Sequence, residues 1–194
     1  IHMSGAPDLA TAAARKDAKI GMSVGILPRV LGGAMSAWEY VSVAGVIPNG
    51  FNVVQSTSDP ALALVLVSNL NSAAWGVVGD GVTDDSAALK ALINYANGSE
   101  VTLDHEHYKA DLNGLTATKL NIRSAVGGST IKLSMHNDFS DFTKFNLEAV
   151  GFDCTGVPFG IDPAVIIQDS TGINIDGKSI SVWDGAPRSM LTLL

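Results

Sequence analysis

Nine side chains in this 194-residue sequence have types and spacings that could do chemistry. Glu148 and Asp176 lie 28 positions apart. If the chain repeats with that period, they stack on adjacent strands about 4.8 Å apart, which suits the two carboxyl groups of a retaining glycoside hydrolase. Arg123 falls in the same column, so the preferred reading is a solvated ion-pair row, worth under about 1 kcal/mol per exposed pair. His105 and His107 flank Glu106 and on a strand would share a face, the beginning of a metal site. With no third ligand nearby, neither a metal nor a cofactor is expected. Asp80, Asp84 and Asp85 crowd a glycine-rich stretch. No Lys-Ser/Thr follows it, and three carboxylates would repel a phosphate. The acidic residues also lack the alternate spacing of a calcium loop. Trp75 and Trp183 could stack on sugars, although tryptophan at a domain junction usually packs.

These residues sit on elements that the sequence makes legible. Residues 75–93 read WGVVGDGVTDDSAALKALI. Gly79-Asp80-Gly81 permits positive φ in a tight turn, Thr83 or Asp85 can cap a helix, and Asp84 and Asp85 favour its positive end. Ala88, Leu89, Leu92, Ile93 and Ala96 form a stripe at helical spacing, with Ser86, Lys90 and Asn94 opposite. Asn97-Gly98 ends the helix, which explains this pair better than the glycosylation acceptor formed with Ser99.

Beyond the helix the chain repeats. Leu120-Asn121-Ile122-Arg123, Phe145-Asn146-Leu147-Glu148 and Ile173-Asn174-Ile175-Asp176 share one pattern at spacings of 25 and 28 residues. They predict three consecutive rungs of a solenoid. Thr130-Ile131-Lys132-Leu133, Val165-Ile166-Ile167 and Ile180-Ser181-Val182-Trp183 supply the other sheets, with corners expected at Gly127-Gly128, Gly151, Gly156, Gly172 and Gly177. In this register Asn121, Asn146 and Asn174 form a ladder, and Arg123, Glu148 and Asp176 an outward column. The helix would cover the open first coil, whose bare strand edge invites aggregation.

Composition bounds the rest. With 46% hydrophobic and 16% charged residues, the chain has enough apolar material for a core, which excludes disorder. A net charge of −7 with only 12 Lys and Arg argues against a nucleic-acid partner. The most apolar run, Ala61 to Val67, is too short to insert in a membrane and reads as a buried strand. The lone Cys154 excludes a disulfide framework. Ile1-His2 before Met3 reads as a cloning scar, and no secretion signal follows.

Residues 4–72 read as a small, mostly β module with a helical lead-in over Pro7 to Lys19, capped by Ser4 or Asp8. Short strands follow around a Pro48-Asn49-Gly50 turn. Between Ile20 and Gly79 only Arg29, Glu39 and Asp59 are charged, which predicts a subunit interface.

The string GDGVTDDSAAL, followed by a helix and a Val-Thr-Leu strand, resembles the opening of the pectate-lyase-like right-handed parallel β-helix. That opening is common in bacteriophage tailspikes and capsule depolymerases. Trp75-Gly76-Val77 stands where the family usually has Phe-Gly-Ala, and Tyr108 preserves the end of its Pro-x-Gly-x-Tyr turn. The resemblance covers residues 73–194. It implies a mainly β fold: a β-rich amino-terminal module, then the first coils of the solenoid behind a short capping α-helix. It also implies a homotrimer on the virion, made in the host cytoplasm, joined to a phage tail or baseplate protein through residues 4–72. The full-length protein would recognise a bacterial surface polysaccharide and cleave it as a hydrolase or lyase. By resemblance the active site lies farther along or between subunits, so this fragment is expected to be inactive. The apolar Met190 to Leu194 stops in mid-pattern and reads as an amino-terminal fragment's end, with capping by neighbouring subunits the runner-up. The rival functions are a bacterial pectate-lyase-like enzyme and a non-catalytic virion adaptor.

Overall fold

The computed structural model describes residues 4–27, 35–67, 70–157, 165–176 and 191–193. The chain divides into two compact units, residues 1–69 with 73–76 and residues 70–72 with 77–194.

The first unit is a five-stranded sheet. Its elements are β1 (Ser4–Ala6), α1 (Leu9–Ala13), β2 (Ser23–Ile26), β3 (Ser36–Ser42), β4 (Val53–Gln55) and β5 (Leu62–Leu66), with strand order β1-β2-β3-β5-β4. β1 and β2 run parallel, and the remaining pairs are antiparallel. The helical lead-in is shorter than expected. Asp8 caps it by accepting from the Thr11 amide at 2.6 Å, while Ser4 belongs to β1. Five helical residues are marginal alone. The sheet holds them in place: Tyr40 donates its phenol to the Ala12 carbonyl, and Ser56 Oγ donates to the Ala13 carbonyl at 3.1 Å. Trp38, Tyr40, Leu64 and Ile26 are buried at the centre. Residues 47–51 form a turn in which Asn49 Oδ1 accepts from the amides of Phe51 and Asn52, so only Val53–Gln55 continues as strand.

The second unit is a parallel solenoid. It comprises β6 (Asp80–Asp84), α2 (Ser86–Ala96), β7 (Val101–Leu103), β8 (His107–Lys109), β9 (Lys119–Ser124), β10 (Ser129–Lys132), β11 (Asn137–Ser140), β12 (Lys144–Glu148), β13 (Val150–Asp153), β14 (Val165–Gln168), β15 (Ile173–Asp176) and β16 (Leu191–Leu193). Three parallel sheets result, β15-β12-β9-β7, β13-β10-β8-β6 and β11-β14-β16. Leu120 pairs with Phe145 and Phe145 with Ile173, so the predicted rungs stack in the predicted register. Ile180–Trp183 and Gly177 lie outside the described residues. Gly151 is no corner; it sits within β13 opposite Thr130. The interior is sealed by aromatic packing, with Phe139 5.3 Å from Phe145 and 5.8 Å from Phe152 between ring centroids.

The asparagine ladder is continuous. Asn174 Nδ2 donates to Asn146 Oδ1 at 2.6 Å, Asn146 Nδ2 to Asn121 Oδ1 at 2.7 Å, and Asn121 Nδ2 to the Gly98 carbonyl at 3.4 Å. α2 buries the expected stripe of Ala88, Leu89, Leu92, Ile93 and Ala96, and Asn97 closes it in the left-handed conformation. Its polar side is bonded rather than merely solvated. Asn94 Oδ1 accepts from the Thr116 amide at 2.8 Å, Lys90 Nζ donates to the Asn113 carbonyl at 3.1 Å, and Ser86 Oγ accepts from the Asp111 amide at 2.7 Å.

Candidate functional site

The acidic stretch opening the solenoid is a knot of backbone caps. Gly79 and Gly81 take φ of +67° and +73°, as the turn reading required. Asp80 then bends the chain onto itself: Oδ1 accepts from the amides of Val82 at 2.8 Å and Thr83 at 2.7 Å, and Oδ2 from the Thr83 hydroxyl at 2.8 Å. These donors, the Thr83 amide first, hold its carboxyl below the usual carboxylate range. Asp84 is lowered chiefly by the Ser86 hydroxyl, which donates to it alongside the Ser86 amide.

Asp85 sits at the helix N-cap position without capping the helix. Its buried carboxylate turns back to accept from the amides of Val78 at 2.8 Å and Gly79 at 3.1 Å. Burial raises its pKa despite those two donors. Thr83, the other expected cap, serves Asp80 instead. The stretch expected as a Gly79-Asp80-Gly81 turn leading into a helix cap instead holds strand β6, which pairs with β8, Asp80 opposite His107 and Asp84 opposite Lys109.

The outward face of β13-β10-β8-β6 carries two columns of mostly polar residues. One column runs Asp80, His107, Thr130 and Gly151; the next runs Asp84, Lys109, Lys132 and Asp153. A groove of about 290 Å³ opens there, with Asp80, His107, Thr130, Lys132 and Asp153 around it and Gly81 and the buried Tyr108 beneath. Three strand spacings make it about 14 Å long. Burial pushes the Tyr108 phenol up to about 12. Its oxygen is also occupied, accepting from the His105 amide at 2.7 Å and lying 3.2 Å from Ser72 Oγ.

The histidine pair does not converge. The ring of His105 lies beneath Gly79, where a Cβ would come within 2.6 Å of His105 Cδ2, and its Nε2 is buried without a partner among the described residues. His107 is exposed beside Glu106, with Nε2 3.9 Å from the carboxylate. Among the described residues no three His, Cys, Asp or Glu side chains gather as metal ligands.

Glu148 and Asp176 are register partners, as expected, and both are exposed; neither lines the groove. Arg123 stands opposite Glu148 in register, but its guanidinium pairs with Glu100 at 2.9 Å, one coil earlier. The expected ion-pair row is therefore shifted toward the capped end. Trp75 is 1% exposed and closed to stacking on a sugar, while Trp183 lies outside the described residues. Burial raises the Cys154 thiol to about 11, so it carries no reactive thiolate near neutrality. Sequence reading missed Asp153 and Lys109 as members of the charged face, because only the coil register brings them beside residues 21 to 25 positions away.

No family model matches the chain, and no curated protein matches it in sequence. Among solved structures it is similar to full-length tailspike protein 2 from the Escherichia coli O157:H7 bacteriophage CAB120, with a TM-score of 0.51 and 14% identity. The match covers 92% of this chain and 30% of that one, so the chain spans less than a third of the tailspike's length. At this identity the likeness concerns the fold.

Proposed function

We propose that this chain is the amino-terminal part of a phage tailspike. Residues 4 to about 72 attach it to the virion and trimerise it, and residues 73–194 begin the solenoid with which the full protein recognises and depolymerises a host polysaccharide. The observation that carries this reading is the shared fold with a tailspike over 92% of the chain, in a protein more than three times longer. The order of parts supports it, since a separate sheet with exposed apolar side chains precedes a helix-capped parallel solenoid.

Two measurements test it. Light scattering is expected to give three times the monomer mass, and a clean monomer at micromolar concentration would refute the trimerising role. Incubation with host surface glycans is expected to show no cleavage, because the active site belongs to later coils or to subunit junctions. Turnover by this chain that disappears in Glu148→Ala or Asp176→Ala would instead place catalysis in these first coils.

A further inference from the structure

Most polar groups near the groove on the β13-β10-β8-β6 face are already engaged, which makes the remaining ones informative. Asp80 spends both carboxylate oxygens on its own turn. Among the described residues Asp153 uses only Oδ1, which accepts from the Thr155 amide at 2.9 Å. Lys132 stands opposite Asp153 on the neighbouring strand, on the same face, yet makes no ion pair among the described residues. A cation, a carboxylate and the Thr130 hydroxyl thus border one recess. Gly151, opposite Thr130, adds no side chain to fill it.

The chemistry selects the ligand. The column Asp84, Lys109, Lys132, Asp153 is electrically balanced and Asp80 adds a further negative charge, so the face offers no surplus positive potential to an anion. The side chains around the rim, Asp80, His107, Thr130, Lys132 and Asp153, are polar and the Tyr108 ring is buried beneath them, which disfavours an apolar guest. Adjacent donor and acceptor groups fit a vicinal diol, one hydroxyl accepting while its neighbour donates.

We propose that this groove binds a pyranose unit of a neutral glycan, with Lys132 donating to one ring hydroxyl and Asp153 accepting from the next. The choice of a glycan rests on the functional reading above. The volume, about 290 Å³, lies at the small end of ligand pockets and suits a single sugar ring. The first coils would then hold a glycan without cleaving it.

Saturation-transfer NMR on the full 194-residue chain with methyl α-D-glucopyranoside and methyl α-D-galactopyranoside tests the site. At least one of them is expected to bind with a millimolar Kd. Lys132→Met and Asp153→Asn, which keep side-chain length and shape, should each weaken binding about tenfold, while Lys144→Met, on another sheet, should not. If Asp153→Asn fails to fold, Lys132→Met at its exposed position carries the test. Inorganic phosphate that binds this face while neither glycoside does would overturn the proposal, as would glycoside binding unchanged in Lys132→Met. A trimer that binds no glycoside would sink this site and leave the trimerising role standing; a monomer that binds one would do the reverse.

Discussion

The two units finish their surfaces differently. Between residues 20 and 67 the sequence carries three charged residues, and Ile20, Leu27, Met35, Ile47 and Val67 are exposed, Ile47 at 85%. On the solenoid, the outward positions of β8, β10, β12 and β13 hold His107, Lys109, Thr130, Lys132, Lys144, Asn146, Glu148, Gly151 and Asp153, and the unit's exposed apolar side chains, Val82, Tyr95, Val126 and Met135, lie off these four strands. A solenoid coil finds its apolar partners in the coils above and below, so its exterior is free to be polar. In the amino-terminal unit, Leu27 and Met35 border a shallow apolar recess with Ala6 and Pro7, and an exposed apolar patch of this kind marks an interaction site. Different stabilities to substitution should follow, with the first unit sensitive in assembly and the second in its cap and turns.

The largest effect expected is on assembly. Replacing Leu27 and Ile47 together with glutamate should take the light-scattering mass from that of the proposed trimer to that of a monomer while circular dichroism stays unchanged. Retention of the trimer would move the interface to the solenoid and erase the contrast. Next comes the cap. Leu89 is fully buried in α2, and Leu89→Ala should cost about 2–5 kcal/mol in denaturant unfolding and promote aggregation of the uncovered first coil. A loss below about 1 kcal/mol would show that α2 is dispensable.

Gly79→Ala should rank third. A side chain at φ +67° costs about 1–2 kcal/mol, and the new Cβ would meet His105 Cβ at 2.7 Å, so that residue must also move. Unchanged thermal stability would mean that the turn and His105 yield to a side chain at this position without cost. A smaller effect belongs to the ladder. Asn146→Ala removes the bond donated to Asn121 and the one accepted from Asn174, for about 1–2 kcal/mol, whereas Asn174→Ala at the exposed end should cost less. Equal losses at both positions would show that the ladder does not act as a chain.

These contrasts also explain what the sequence reveals and conceals. Leu120, Phe145 and Ile173 are legible because stacking puts like over like once per coil, and the α2 stripe because burial follows helical period. β2, with Gly25 inside it, hides behind a glycine that reads as a breaker, and its strand character comes from pairing with β1 and β3. β6 is concealed likewise, since Asp80 and Gly81 have poor strand propensity and only the edge of β8 makes them extended. The groove could not be read at all. Its members belong to four strands, and coil lengths that differ between turns prevent spacing from aligning outward residues. Asp85 shows the limit within a motif: spacing marks it as a cap, but its burial turns it toward Val78 and Gly79.

The acid response should be the smallest effect and the finest probe of that motif. Donor hydrogen bonds lower Asp80 and Asp84 below 3.8, so the unfolded chain takes up protons before the folded one does at these positions. Their contribution is complete above the unfolded value and is lost as pH falls through the lowered folded values. Asp85 has the opposite sign, because burial raises it and the folded chain binds its proton first. Its contribution therefore favours folding as acid is added. Melting temperatures measured between about pH 5 and pH 2.5 should fall less steeply in Asp80→Asn and more steeply in Asp85→Asn than in the unmodified chain. Parallel slopes in all three would mean that these carboxylates titrate alike, and the knot would then be a set of solvated turns with no electrostatic division of labour.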